Sequence, residues 1–397
     1  MGQKARRTPL PLTVVLLGLT SLFTDVGTEM IFPLLPVFLT ETLKASPAYL
    51  GLVEGLADTV SSLLKLGSGI VADLTPRRKP LVVVGYAMAS ASRPFVAIAT
   101  RPWHVLAVRV TDRVGKGLRS SPRDALIADA AGDQAGRAFG FHQAMDNVGA
   151  VLGPLLATGL LALAVPLRSI FWIAAVPGLI ATLIAARVPE DATRSAAHPT
   201  NSARVATANP QLPLTDRRLV TYLAILAVFA LANSSDAFLL LRARSLGVSV
   251  AMIPILWSVL NLSKVVWAYV GGNLADRVRR GRLIAAGWLV YALVYFALAM
   301  ATRPWHVWVL FIAYGVFYGL TEPVEKALIK ELVHERQRGR AYGAYNFIVG
   351  MAALPAGLLA GALWRISGAE AALCTGAALA ALASGLLLAW DVWRSRQ

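Results

Sequence analysis

The seven residues Ala99-Thr100-Arg101-Pro102-Trp103-His104-Val105 return unchanged as Ala301-Thr302-Arg303-Pro304-Trp305-His306-Val307. Seven consecutive identities that include a Trp and a His mark an internal duplication, and each copy occupies about half of the chain. Working outward at the same offset, to within one residue, Ala125-Leu126-Ile127 and Asp129 fall on Ala327-Leu328-Ile329 and Glu331. Gly136-Arg137-Ala138-Phe139-Gly140 falls on Gly339-Arg340-Ala341-Tyr342-Gly343, and Asp73 on Asp276. Glu29 aligns with Asp236 once a four-residue difference in the next loop is allowed.

The 397 residues are 56% hydrophobic and 15% charged, against about 45–50% and about 25% in soluble domains. Apolar stretches of about 20 residues, the length that crosses a bilayer, recur throughout. Twelve spans are predicted: 12–40, 48–72, 80–99, 103–127, 138–162, 166–187, 219–241, 250–273, 282–301, 305–328, 341–364 and 369–393. The basic segment Met1–Thr8 precedes a first helix read as retained, since no small-residue cleavage site follows it. The expected organisation is a six-helix bundle over 1–187, a polar linker over 188–218 and a second six-helix bundle over 219–397.

The formal net charge of +16 does not indicate a nucleic-acid partner, because the bases sit in short clusters between apolar spans. Arg77-Arg78-Lys79, Arg137, the linker arginines, Arg277 to Arg282 and Arg336 to Arg340 occupy alternate connections, and the opposite loops hold one or two bases each. By the positive-inside rule both termini and the linker face the cytoplasm, which makes this a multi-pass protein of the inner (plasma) membrane. The single cysteine, Cys374, lies in an apolar span and excludes an intramolecular disulfide.

The fourth span is too charged for a hydropathy window, yet its copy is apolar: Arg109 aligns with Phe311, Asp112 with Tyr314, Arg113 with Gly315 and Arg119 with Thr321. The tenth span therefore identifies the fourth as membrane-spanning. Two copies with six spans each share one orientation, related by an axis along the membrane normal.

Ionisable residues at bilayer depth are costly, at least about 2.5–3.5 kcal/mol at a helix centre, and mark cavities or partners. Asp25 and Glu29 stand one turn apart on span one. Glu54, Asp58, Ser62 and Lys65 form a stripe on span two. Arg109, Asp112, Arg113, Lys116, Ser120 and Arg123 fall within a sector of about 100° on span four, with Arg119 just beside it. Span three adds Arg93, and span five adds His142, Asp146 and Asn147. The second copy keeps Asp236, Asn233, Asn261 and Lys264 with Glu322, Glu325 and Lys326. The first copy is thus expected to carry ion coupling and the second to shape the substrate pocket. Asp25, Glu29, Glu54, Asp58, Asp112 and Asp236 are the proton-coupling candidates. Lys65, Arg93, Arg109, Arg113, Lys116, Asn261 and Lys264 are the substrate-binding candidates. The competing reading is structural pairing, for example of Asp112 with Lys116 four residues on.

Three motifs carry a family resemblance. Gly69-Ile-Val-Ala-Asp73-Leu-Thr-Pro76-Arg77-Arg78 matches the Gly-x3-Asp-basic-x-Gly-basic-basic loop signature, with Leu74 and Pro76 departing from it. Gly272-Asn-Leu-Ala-Asp276-Arg277-Val-Arg279-Arg280 is the second copy. Arg113-Val-Gly-Lys116-Gly117 matches Arg-x2-Gln-Gly, with Lys for Gln. Gly140, Gly149, Gly153 and Pro154 fall on an antiporter signature whose last two glycines are Ala157 and Thr158 here. The chain thus resembles the major facilitator superfamily of secondary transporters, of the drug/proton antiporter type. The resemblance implies an all-α membrane fold of 12 transmembrane helices in two six-helix bundles with pseudo-two-fold symmetry. It also implies gating roles for Asp73, Arg77, Arg78, Asp276, Arg277, Gly149, Gly153 and Pro154.

No phosphate-binding Gly-x4-Gly-Lys-Ser/Thr loop, zinc-type Cys/His spacing or Gly-x-Ser-x-Gly elbow occurs, so no enzyme activity, cofactor or metal site is expected. His104 and His306 read as interfacial anchors beside Trp and Arg. The expected function is proton-coupled export of a small organic solute or drug by alternating access. Its partners are a small-molecule substrate, protons and the lipid bilayer, and it acts as a monomer. The alternative is uptake or exchange of a small organic anion or phosphate ester, because bases outnumber acids in the first copy. A non-transporting sensor on the same scaffold is the third reading.

Overall fold

A computed structural model describes residues 9–74, 77–131, 134–189, 217–275, 278–333 and 338–394. Among these residues there is no strand. The first helix, α1, is Leu12–Ile31, prolonged by short 3-10, α and π turns over Phe32–Leu34, Leu35–Val37 and Phe38–Thr42. Pro33 and Pro36 remove two backbone donors there, which is why regular α pairing gives way. Next come α2 (Pro47–Leu74), α3 (Lys79–Ser92, then a 3-10 turn Arg93–Val96), α4 (Pro102–Ala131) and α5 (Ala135–Ala162). Helix α6 has two pieces, Leu167–Ile173 and Ala175–Ala186.

Helix α7 is also in two pieces, Arg217–Ala232 and Ala237–Ser245. It is followed by α8 (Ile253–Ala275), α9 (Arg280–Met300) and α10 (Pro304–Leu332). Arg338–Arg394 is divided at Gly368, whose φ of 89° is open to glycine, into α11 (338–367) and α12 (369–394). Among the described residues eight helical runs are long and apolar enough to cross a membrane, with α11 and α12 counted as one run. Those that are not are α2, α3 and α4, all in the first copy. Helices α2 and α4 carry the charges, and α3 leaves α geometry at Arg93-Pro94.

The packing repeats with the sequence. Helix α2 lies on α4 and α3 on α4, as α8 lies on α10 and α9 on α10. Helices α1 and α3 lie on α6, as α7 and α9 lie on α12. The repeated heptapeptide starts α4 and α10. His104 Nδ1 accepts the backbone N–H groups of Thr100 and Arg101 at 3.2 and 3.3 Å, and His306 Nδ1 accepts those of Thr302 and Arg303 at 3.4 Å each. The repeated His therefore satisfies donors that a helix start leaves open, while Trp103 and Trp305 beside it stay exposed. At the other end of the same helices Arg78 pairs with Asp129, and Arg280 Nη1 meets Glu331 Oε2 at 2.6 Å.

The two copies touch along α2–α11 and α5–α8. An added Cβ on Gly51 would lie 2.0 Å from the Gly357 carbonyl oxygen, so α2 and α11 approach backbone to backbone. Small residues permit this closeness between helices in lipid. Arg244 Nε reaches Glu41 Oε1 at 2.6 Å across the same end of the molecule. Toward the other end, where the basic connections 77–79 and 278–280 lie, ideal Cβ positions on Gly67, Gly140 and Gly343 meet nothing within 4 Å. Among the described residues the copies approach each other most closely at the end away from the basic connections, the closed end.

Candidate transport cavity

A cavity of about 470 Å³ lies between the copies. From the first copy α1 contributes Asp25, Thr28, Glu29 and Phe32; α2 contributes Glu54, Gly55, Asp58, Ser61, Ser62 and Lys65. Arg93 enters from α3 and Asp112, Arg113, Lys116 and Arg119 from α4. The expected α2 stripe of Glu54, Asp58, Ser62 and Lys65 thus faces one space. The second copy supplies Asn233, Ser234, Ser235, Asp236, Trp257, Asn261, Lys264 and Tyr318, and α11 closes the wall with Val349, Gly350 and Ala353. Asp236 and Lys264 are the second copy's ionisable contributions to the lining, against ten from the first.

The break in α7 makes its share possible. The polar run Asn233-Ser234-Ser235-Asp236 leaves helical pairing, as side chains that bond their own backbone tend to do. Span seven, expected as one helix over 219–241, is therefore interrupted, and Asp236 is held at the break. Tyr314 and Tyr318 donate to its two oxygens at 2.9 and 2.7 Å, and Lys264 Nζ stands 3.5 Å from Oδ2. Lys264 Nζ also lies 3.6 Å from the Tyr318 ring centroid.

On the first copy most charges are matched. Arg109 donates to both oxygens of Glu54, and Arg93 Nε donates to Asp112 Oδ1 at 2.9 Å and its Nη1 to the Thr24 carbonyl at 3.1 Å. Arg113 lies 3.3 Å from Asp58 and 3.7 Å from Asp112. Asp112 therefore pairs with Arg93 and Arg113 and not with Lys116 on its own helix. Arg109 is absent from the cavity lining; it stands behind Glu54, with its guanidinium 5.4 Å from the Phe32 ring. Among the described residues Glu29 forms no ion pair; Trp257 Nε1 of the second copy donates to its Oε2 at 2.6 Å. Asp25, Lys65 and Lys116 line the cavity with no ion pair closing on them among the described residues.

The gating candidates are placed differently. Gly149 and Gly153 pack α5 on α1: added Cβ atoms would lie 2.6 Å from the Leu22 and Val26 carbonyl oxygens. Pro154 lies in the same helix. Arg78 is taken up by Asp129, and Arg77 is exposed. The Asp73 side chain, Asp276 and Arg277 lie outside the described residues. So does most of the linker.

Trp257 and Tyr318 line the site without having been singled out in the sequence. Aromatic residues in an apolar span carry no mark that tells a cavity face from a lipid face.

The family model described as the Major Facilitator Superfamily matches residues 17–353 and 225–396. An uncharacterized MFS-type transporter of Methanocaldococcus jannaschii is 34% identical over 385 residues, covering 94% of each chain. The multidrug resistance protein MdtH of Yersinia pestis is 26% identical over 330 residues, covering 81% of this chain and 79% of the relative. The crystal structure of the nucleoside transporter NupG superposes with a TM-score of 0.79 over 96% of this chain and 99% of that one, at 14% identity. It shows the fold alone. This membrane protein, a transporter and not an enzyme, belongs to the Major Facilitator Superfamily.

Proposed function

We propose that the chain exports a small organic solute or drug in exchange for protons, by alternating access to the cavity between its copies. The observation that carries this reading is the state of Asp25 and Glu29. They stand one turn apart on α1, face the cavity and form no ion pair among the described residues. An arginine beside a carboxylate favours its charged form; a carboxylate outside such a pair is better placed to exchange a proton with the cavity. Likeness to a multidrug resistance protein supports the export direction. The units that rock are the bundles 1–187 and 219–397, joined by 188–218. The inner membrane, with both termini and the basic end in the cytoplasm, follows from the positive-inside charge pattern. A single chain surrounds the cavity, which supports a monomer.

The test uses proteoliposomes enclosing a pH-sensitive dye under an imposed proton gradient. Transported solutes drain the gradient in the wild type and do not in Asp25→Asn/Glu29→Gln. Solute flux that is the same with and without the gradient defeats the coupling.

A further inference from the structure

We propose that the transported solute carries an anionic group, a carboxylate or phosphate, seated on Arg119, Lys116 and Lys65. This rests on the reading that the cavity holds the solute. Arg119 is only 5% exposed, yet it lines the cavity and its Nε and Nη1 have no hydrogen-bond partner. Its guanidinium lies 4.3 Å from the Tyr86 ring centroid, an arrangement that supports the cation and leaves donor edges unused. A buried polar group without a partner is costly, so such donors mark a place for an acceptor.

The cations beside it likewise close no ion pair among the described residues. Lys116 stands one turn before Arg119 on α4, and Lys65 comes from α2 across a close helix contact. A Cβ on Gly117 would lie 2.5 Å from Leu64 Cβ, and one on Gly85 would lie 2.7 Å from Arg119 Cβ. Three helices are thus pressed together at this level, and the three cations are held by that packing. Three of the nearby acids are engaged elsewhere, Asp58 by Arg113, Asp112 by Arg93 and Glu54 by Arg109. Asp25 and Asp146 lie within electrostatic reach of Lys116 and Arg119 without closing an ion pair on them among the described residues. A planar guanidinium with free edges and two ammonium groups suit the several oxygens of one carboxylate or phosphate. The matching corner of the second copy has Thr321 at the Arg119 position, so the duplicated scaffold does not require these charges.

Purified full-length protein in detergent tests this by thermal shift, with pyrophosphate, citrate, tetraphenylphosphonium and short-chain phosphatidylglycerol at matched ionic strength. Pyrophosphate or citrate should raise Tm saturably in the wild type, and tetraphenylphosphonium should not. Arg119→Gln should weaken the apparent affinity at least tenfold, and Lys116→Gln should weaken it in the same direction if Arg119→Gln does not fold. Arg365→Gln, which removes an exposed arginine far from the cavity, should leave it unchanged. No saturable anion shift in the wild type, a shift by the lipid alone, or equal shifts in all variants overturns the assignment. Binding is read without transport, so a failure of proton coupling leaves this result standing, and a failure here leaves the coupling assay standing.

Discussion

Arg109 grips Glu54 through two bonds, Nε to Oε1 at 3.0 Å and Nη2 to Oε2 at 2.6 Å, at the positions where the second copy buries Phe311 and Trp257. One scaffold therefore accepts a buried ion pair in one half and apolar packing in the other. Removing one partner of a buried pair leaves a naked charge and costs about 3–5 kcal/mol, whereas replacing both with apolar groups is often neutral. Arg109→Leu alone should lower stability by about that amount, and Glu54→Leu/Arg109→Phe should recover most of the loss. Unfolding in mixed micelles with increasing SDS measures both. A double variant as unstable as the two single losses combined would show that the pair is irreplaceable.

The Gly51–Gly357 contact gives a second prediction. A side chain at Gly51 must push α2 away from α11, since its Cβ would sit 2.0 Å from a backbone oxygen. Gly51→Val should open the closed end and shift the molecule toward its other state. In a Cys374→Ala background, a cysteine at Ser62 in the cavity should then react more slowly with a membrane-impermeant maleimide from the basic side. Unchanged reactivity from the basic side contradicts this.

Burial separates the two repeated ion pairs at the basic end. The Arg78 and Asp129 side chains are 4% and 22% exposed; Arg280 and Glu331 are 32% and 42% exposed. Exposed pairs contribute about 0–1 kcal/mol. Glu331→Gln should therefore change stability by no more than about 1 kcal/mol, and Asp129→Asn by clearly more. The same SDS titration decides, and equal losses would mean that burial does not set the difference.

The duplication made most of this fold legible. The heptapeptide repeat identified α4 as a span although its charges hide it, and the structure runs that helix through Pro102–Ala131. Periodicity also brought Glu54, Asp58, Ser62 and Lys65 to one face, because helical phase is a local property. Partners were not legible. Nothing local tells that Asp112 turns to Arg93 and not to Lys116, or that Arg109 stands behind Glu54; those choices come from how α2, α3 and α4 pack. The interruption of α7 was written in Asn233-Ser234-Ser235-Asp236, but tertiary contacts with Tyr314 and Tyr318 are what hold Asp236 there.

Division of labour between the copies predicts unequal effects of neutralising acids. Asp25→Asn and Glu29→Gln should abolish solute-driven proton movement in proteoliposomes. Asp236→Asn keeps the hydroxyl partners of Tyr314 and Tyr318, so it should alter apparent solute affinity and leave proton movement coupled. Uncoupling by Asp236→Asn, with coupling intact in the α1 variants, would reverse the assignment.

The central claim is that one cavity opens alternately at two ends under the control of protons. Double electron–electron resonance on Cys374→Ala protein measures it, with spin labels at Leu66→Cys and Phe347→Cys at the basic end, or at Lys44→Cys and Ser245→Cys at the other. On lowering pH the two distances should change in opposite directions, and Asp25→Asn/Glu29→Gln should remove the pH response. Distances that are indifferent to pH, or that lengthen and shorten together, contradict the account.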